Sequence, residues 1–291
     1  MPPYNSMLMT KFKFLEIETF ESTDGAKLVV EDFGGHGDNL LFVHATGFCA
    51  RMYLPIAMEL REQFHCWGIN ARYHGGSSGT NGTDLNWNVL ASDILEVTRH
   101  LGPGPWRGFG HSYGGAGLLL AEEAQPRTFT SLFLYEPVVT IEQHTAEPNF
   151  DSPLSKLTRK RRQSFATRFD AVQNFSSKLP MQAFDPLVMD LYLEAGFRRG
   201  LDGHLHLACA REIEAQVYAW ASCHNAYSEM DRVACDTLMV AGETTDAFNA
   251  DHLGRIAAKG ASSRVMVAPG LGHFGPFEDP VSVAGMIKDF L

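Results

Sequence analysis

With 291 residues the chain is long enough for one large domain that accepts an insertion. Its 45% hydrophobic and 20% charged composition is that of a soluble globular protein. A net charge of -10 excludes a nucleic-acid partner, because gripping a phosphate backbone needs a basic surface. The cysteines Cys49, Cys66, Cys209, Cys223 and Cys235 are scattered and without C-x-x-C spacing. They read as free thiols of a reducing compartment, so a cytoplasmic location is expected. Met1 to Thr10 lacks the apolar core of a signal peptide, and no apolar run reaches the ~18 residues of a membrane span.

Phe12 to Phe20 alternates apolar and polar residues and predicts a half-buried strand. Thr23-Asp24-Gly25 then turns the chain into a second strand, Ala26 to Phe33. Leu40 to Val43 is a continuous apolar run, the pattern of a strand covered on both faces. A helix is expected over Arg51 to Gln63, a buried strand over His65 to Ile69 and a helix over Leu85 to His100. Pro105 to Gln125 comes next, then a strand at Ser131 to Tyr135. Strand and helix alternate with short connections, which implies a mostly parallel sheet with helices on both faces.

The alternation stops at Pro137. Residues 138–232 carry amphipathic stretches at Ser155 to Ser177, Pro186 to Gly196 and Arg211 to Ala221, with no buried strand run. They predict an all-helical cap inserted after the sixth strand, over the carboxyl edge where open α/β sheets bind ligands. The core domain is then 1–137 together with 233–291. It resumes with a strand at Thr237 to Ala241, a helix at His252 to Lys259, a strand at Ser263 to Val267 and a last helix from Pro280.

Gly110-His111-Ser112-Tyr113-Gly114 matches G-x-S-x-G, in which a strand turns sharply into a helix with the serine at its tip. Gly75-Gly76-Ser77-Ser78-Gly79 matches too, but it leads into turn residues, whereas Ser112 leads into a Leu- and Ala-rich helix. Ser112 is therefore the candidate nucleophile. A serine hydroxyl needs a base to take its proton and a carboxylate to orient that base. His273, set among glycines after the last strand, is the candidate base. Asp246 and Glu136, each at the carboxyl end of a strand, compete as the acid. Asp246 is the first choice, Glu136 the second and Glu243 a distant third. An oxyanion hole is expected from the backbone N–H groups of Tyr113, after the nucleophile, and of Thr46, in the loop after Val43.

These motifs, in the order Ser–acid–His and with the closing Gly272-His273-Phe274 and Glu278-Asp279-Pro280, resemble the α/β-hydrolase fold family. The resemblance covers about Ala26 to Glu136 and Thr237 to Leu291. It implies an eight-stranded, mostly parallel sheet with an antiparallel start. Where similar members carry His-Gly, this chain has His44-Ala45. Where they read Asp-x-Arg-Gly-x-Gly-x-Ser, it has Asn70-Ala71-Arg72-Tyr73-His74-Gly75-Gly76-Ser77. Some relatives place the acid at the position of Glu136. Relatives that are haloalkane dehalogenases or epoxide hydrolases use Asp at the position of Ser112.

The expected activity is serine hydrolysis of a carboxylic ester or lactone of a small apolar compound. A C–C bond hydrolase acting on a diketone and a non-catalytic small-molecule receptor are the alternatives. No cofactor and no metal are implied; His204, His206 and Cys209 lack the spacing of a complete ligand set. The expected partner is a small-molecule substrate, neither nucleic acid nor membrane, and a homodimer is left open. Arg159-Lys160-Arg161-Arg162 reads as a solvated helix face, with an anionic substrate as the competing explanation. Phe48, Tyr53 and Phe274 are among the aromatic residues expected around an apolar pocket.

Overall fold

A computed structural model of the chain describes residues 16–80, 85–141 and 145–291. Strands β1 (Glu16–Glu21) and β2 (Lys27–Gly35) form the antiparallel start. The predicted first strand begins earlier, and its Phe12 and Phe14 lie outside the described residues. β3 (Asp38–Val43), α1 (Leu54–Leu60), β4 (Phe64–Asn70), α2 (Trp87–Leu101), β5 (Trp106–His111), α3 (Tyr113–Ala124) and β6 (Phe129–Tyr135) then alternate as the sequence pattern predicts. The helix expected from Arg51 is shorter, because Ala50–Tyr53 forms a 3-10 turn before α1.

Between β6 and the next strand of the large sheet lie α4 (Pro153–Thr158), β7 (Ser164–Phe165), α5 (Arg168–Ser176), α6 (Pro186–Ala195), β8 (Phe197–Arg199), β9 (Leu205–Leu207) and α7 (Arg211–Ala219). The all-helical expectation is corrected here, since β7, β9 and β8 pair into a small antiparallel sheet. Strands of two or three residues are too short to leave a periodic signal in the sequence. The helix expected over Ser155 to Ser177 is two helices. Thr167 caps α5 by accepting from the Asp170 amide at 3.1 Å, while Asp170 accepts from the Thr167 amide at 3.0 Å. This capping box fixes a helix start where apolar spacing alone runs straight through.

The chain closes with β10 (Asp236–Gly242), α8 (Ala250–Ala257), β11 (Ser263–Ala268), α9 (Gly275–Glu278) and α10 (Pro280–Phe290). The large sheet has eight strands in the order β1-β2-β4-β3-β5-β6-β10-β11, with every pair from β4 to β11 parallel. Alternate residues of β3 feed two separate apolar clusters. Leu41 and Val43 pack with Leu90 and Ile94 of α2, whereas Leu40 and Phe42 pack with Ile56 of α1 and Ile287 of α10. That two-sided burial is why the run Leu40 to Val43 has no polar member. Among the described residues no helix is long and apolar enough to cross a membrane.

Candidate active site

Ser112 sits between β5 and α3 with φ 56° and ψ -113°, a conformation that side-chain-bearing residues rarely adopt. The glycines around it are required by space. A β-carbon on Gly110 would come within 2.6 Å of the Gly115 Cα, and one on Gly114 within 2.1 Å of the Val43 carbonyl. Backbone bonds hold the turn on both sides: Ser112 N–H donates to Tyr135 O at 2.9 Å, and Val138 N–H donates to Ser112 O at 3.2 Å. The competing serine has a structural task. Buried Ser77 donates to Asn70 O at 2.7 Å and accepts from the Val29 amide at 2.9 Å.

The carboxylate brought to His273 is Glu136, not Asp246. His273 Nδ1–H donates to Glu136 Oε2 at 2.6 Å. Glu136 is fully buried, and it also accepts from the Gly242 amide at 2.8 Å and the Thr245 hydroxyl at 2.8 Å. Three donors thus fix the position of this buried carboxylate. Asp246 is exposed, with no hydrogen bond or ion pair among the described residues, and Glu243 instead accepts from the Gly270 amide at 2.7 Å.

Topology explains the choice. Glu136 directly follows β6, next to the β5 that leads into Ser112, while His273 follows β11 and must reach back across β10. The crossing is made over Gly242, where a β-carbon would lie 2.6 Å from the carbonyl oxygens of both Leu271 and Gly272. Tyr135 pins the same loop by donating its hydroxyl to Gly272 O at 2.9 Å.

The loop after β3 is held by two buried histidines. His44 donates from Nδ1 to Ala45 O at 2.8 Å and accepts at Nε2 from the Ala71 amide at 3.0 Å. His74 mirrors it, donating from Nδ1 to Arg72 O at 2.9 Å and accepting at Nε2 from the Gly47 amide at 3.1 Å. Each needs one acceptor nitrogen, so each must be neutral. Burial agrees, pushing His44 down to about 3 and His74 to about 4 from 6.5. The amides of Ala45, Gly47 and Phe48 are all engaged, whereas that of Thr46 has no partner among the described residues.

The departures in the loop after β4 have physical reasons. Asn70 donates its amide to Glu31 Oε1 at 3.1 Å, a contact that an aspartate would turn into repulsion between carboxylates. Tyr73 takes φ 64° where a glycine is the usual residue, so the turn survives the substitution.

A sequence model of the alpha/beta hydrolase family matches residues 40–286. The chain belongs to the alpha/beta hydrolase family. A type I acyl-CoA thioesterase of Penicillium brevicompactum, mpaH, is 26% identical over 177 residues, covering 55% of this chain but only 40% of that protein. Among solved structures, an E-2-(acetamidomethylene)succinate hydrolase superposes with TM-score 0.78 at 20% identity, covering 94% of this chain and 99% of that one. The peroxisomal alpha-beta-hydrolase Lpx1 of Saccharomyces cerevisiae also reaches 0.78, at 19% identity, covering 94% and 88%. A thioesterase domain from the curacin biosynthetic pathway reaches 0.75 at 15%, covering 94% and 99%. At these identities the superpositions establish the fold.

In this alpha/beta hydrolase several groups around the site are ones that motif reading passes by. Tyr53, expected at a pocket wall, is fully buried and acts as a bridge. Its hydroxyl accepts from the Ala45 amide at 3.1 Å and donates to His111 Nδ1 at 2.8 Å. His111 in turn donates from Nε2 to His273 O at 2.9 Å, and burial holds it neutral. The chain of bonds therefore ties the loop of Thr46 to the loop of His273. A second group comes from the segment between β6 and β10. Arg161 and Glu214 form a largely buried ion pair, and Glu214 rests on Gly47, where φ is +79° and a β-carbon would lie 2.6 Å from its Oε1. Phe48 and Phe274 do meet the pocket expectation, with ring centres 5.8 Å apart beside a cleft between α4, α5 and α7.

Proposed function

We propose that this alpha/beta hydrolase is a serine hydrolase that cleaves an ester, lactone or thioester of a small, largely apolar compound through an acyl-enzyme. The observation that carries the reading is the 2.6 Å bond from His273 to buried Glu136, which directly follows the strand beside the one leading into Ser112. In this scheme His273 takes the Ser112 hydroxyl proton as Oγ attacks the carbonyl carbon. Glu136 stabilises the imidazolium that results and fixes the tautomer that keeps Nε2 free to accept. The amides of Thr46 and Tyr113 receive the oxyanion, each donor being worth about 3 kcal/mol in the transition state. The imidazolium proton passes to the leaving oxygen or sulfur. Water then attacks the acyl-serine, gives its proton to His273, and the acid departs as Ser112 regains its hydrogen.

Thioesters are favoured among these acyl compounds by the names of two relatives, an acyl-CoA thioesterase and a thioesterase domain. The fungal match spans only part of that protein, so its substrate is not transferred. Five free cysteines support placing the protein in the cytoplasm.

The test is the initial rate of hydrolysis of nitrophenyl esters and N-acetylcysteamine thioesters by the native protein and by Ser112→Ala. A loss of about 10^4-fold or more in the variant is expected, together with a fluorophosphonate adduct on Ser112 of the native protein. Folded native protein that turns over neither class, and labels nowhere, would sink the reading. C–C bond hydrolysis or ligand binding without turnover would then take its place.

A further inference from the structure

The cap holds a cleft of about 390 Å³ between α4, α5 and α7. That volume suits a small organic ligand. The cleft meets the site through Phe48, two residues beyond Thr46, and Phe274, whose ring stands 4.9 Å from the imidazole of His273. Leu154, Leu157 and Leu179 line it and remain 55%, 65% and 82% exposed, an apolar surface without an internal partner.

The charged lining is one-sided. Lys160, Arg161, Arg162 and Lys178 face the cleft, with Glu214 as its single carboxylate, and Arg161 occupies that carboxylate. Lys160 has no side-chain partner among the described residues. Lys178 donates only to the neutral amide of Asn174, at 2.7 Å. Arg162 donates to Ser164 O at 2.9 Å and lies 4.6 Å over the Phe165 ring. Among the described residues three cations are thus left without a carboxylate, in a chain whose net charge is -10. The basic run Arg159 to Arg162 therefore splits: Arg159 and Arg161 pair with Glu212 and Glu214 of α7, while the residues between and after them turn to the cleft.

We infer that the cap cleft binds an anionic group carried on the apolar substrate, a carboxylate or a phosphate, placed between Lys160, Arg162 and Lys178. The apolar body lies against the leucines, and the scissile acyl group reaches the catalytic end past Phe48 and Phe274. Unpaired ammonium and guanidinium groups gain little from water-exposed monovalent ions, but several converging on one anion add their attraction. The inference rests on the serine-hydrolase reading and deepens it.

Matched substrates test it. 4-Nitrophenyl hexanoate is compared with mono-4-nitrophenyl hexanedioate, which adds a carboxylate to the acyl side. Hexanoyl-N-acetylcysteamine is compared with hexanoyl-CoA, which adds phosphates to the leaving side. At low salt the native protein is expected to favour an anionic member in kcat/KM by about tenfold, with the preference shrinking as salt is raised. The preferred pair identifies the side that carries the charge. In Lys160→Glu/Lys178→Glu the ratio should fall to unity or below. Lys156→Glu, on α4 just before Lys160 but outside the cleft, should keep it. Equal rates within both pairs, or a preference that survives the double reversal, would overturn the inference while leaving the hydrolase reading intact. Binding of octyl phosphate to Ser112→Ala, followed by calorimetry, reads the cleft independently of turnover. It should weaken about tenfold when the charge reversals are added, and unchanged binding would count against the cleft.

Discussion

Around Ser112 the side chains that position the site at the carboxyl edge of the sheet are spoken for, with the Thr46 amide left open. Glu136 has three donors, His44 and His74 use both ring nitrogens, and Tyr53 and His111 link two loops. The cleft between α4, α5 and α7 is the reverse, lined by exposed leucines and by Lys160, Arg162 and Lys178, which have no carboxylate partner among the described residues. The two regions differ because they answer different demands. Reacting groups gain rate by being fixed before the substrate arrives, so their hydrogen bonds are completed internally. A recognition surface gains affinity only from bonds left open until the ligand supplies them.

That contrast breaks most sharply at Glu136. Glu136→Gln removes the charge that stabilises His273 and is expected to lower kcat about a thousandfold, while Asp246→Asn changes it by less than about twofold, as for an exposed side chain without partners. Steady-state kinetics on the two variants decides between them, and the opposite ranking would return the acid's role to Asp246. A smaller loss, about tenfold in kcat, is expected for Thr245→Val, which removes one donor from the Glu136 carboxylate. Its KM should stay near the native value, because nothing that faces the cleft changes. Tyr53→Phe leaves the Ala45 amide and His111 Nδ1 without their shared partner. It should cost about 1–3 kcal/mol of stability by urea unfolding and lower kcat several-fold, whereas a silent substitution would show that the bridge between the loops is dispensable.

The finest distinction concerns pH. His74 has its pKa lowered to about 4 in the folded protein from 6.5, so between those values the unfolded chain binds the extra proton. Its neutral form therefore favours folding fully above the unfolded pKa, and that contribution drains away as pH falls toward the folded pKa. The stability difference between native protein and His74→Gln should shrink by about 2 kcal/mol from neutral pH to about pH 5. Comparing the two proteins cancels other buried groups such as Asp93, which is raised to about 6 and acts in the opposite sense. A constant difference across that range would mean that His74 is not held neutral.

Much of this was open to reading in one dimension. Runs such as Leu40 to Val43 announce two-sided burial, and the turn residues after Ser77 set it apart from Ser112, with its helix-forming Leu and Ala. The sequence ranks Asp246 above Glu136 whereas the structure brings Glu136 to His273, because both stand at a strand's carboxyl end and sequence spacing does not say how a loop crosses its neighbour. The crossing depends on the close approach at Gly242, and any loop glycine looks the same in one dimension. The small cap sheet escaped because its strands are shorter than any period. The Thr167–Asp170 box was visible, but apolar spacing spoke louder. Tyr53 bears no motif and His111 only fills a variable place in one; their role exists only where the 3-10 turn before α1, β5 and the His273 loop meet.

The seat of Glu214 on Gly47 has a consequence for anyone rebuilding this enzyme. Caps are natural modules to exchange when a new substrate is wanted, yet here the module keys into the segment that would cradle reaction charge. A donor cap lacking an acid at that place leaves a gap over Gly47, and a host with any larger residue there forces the Glu214 carboxylate to move. Chimeras should therefore be cut so that residues 44–48 travel together with α7, as one part inherited from one parent.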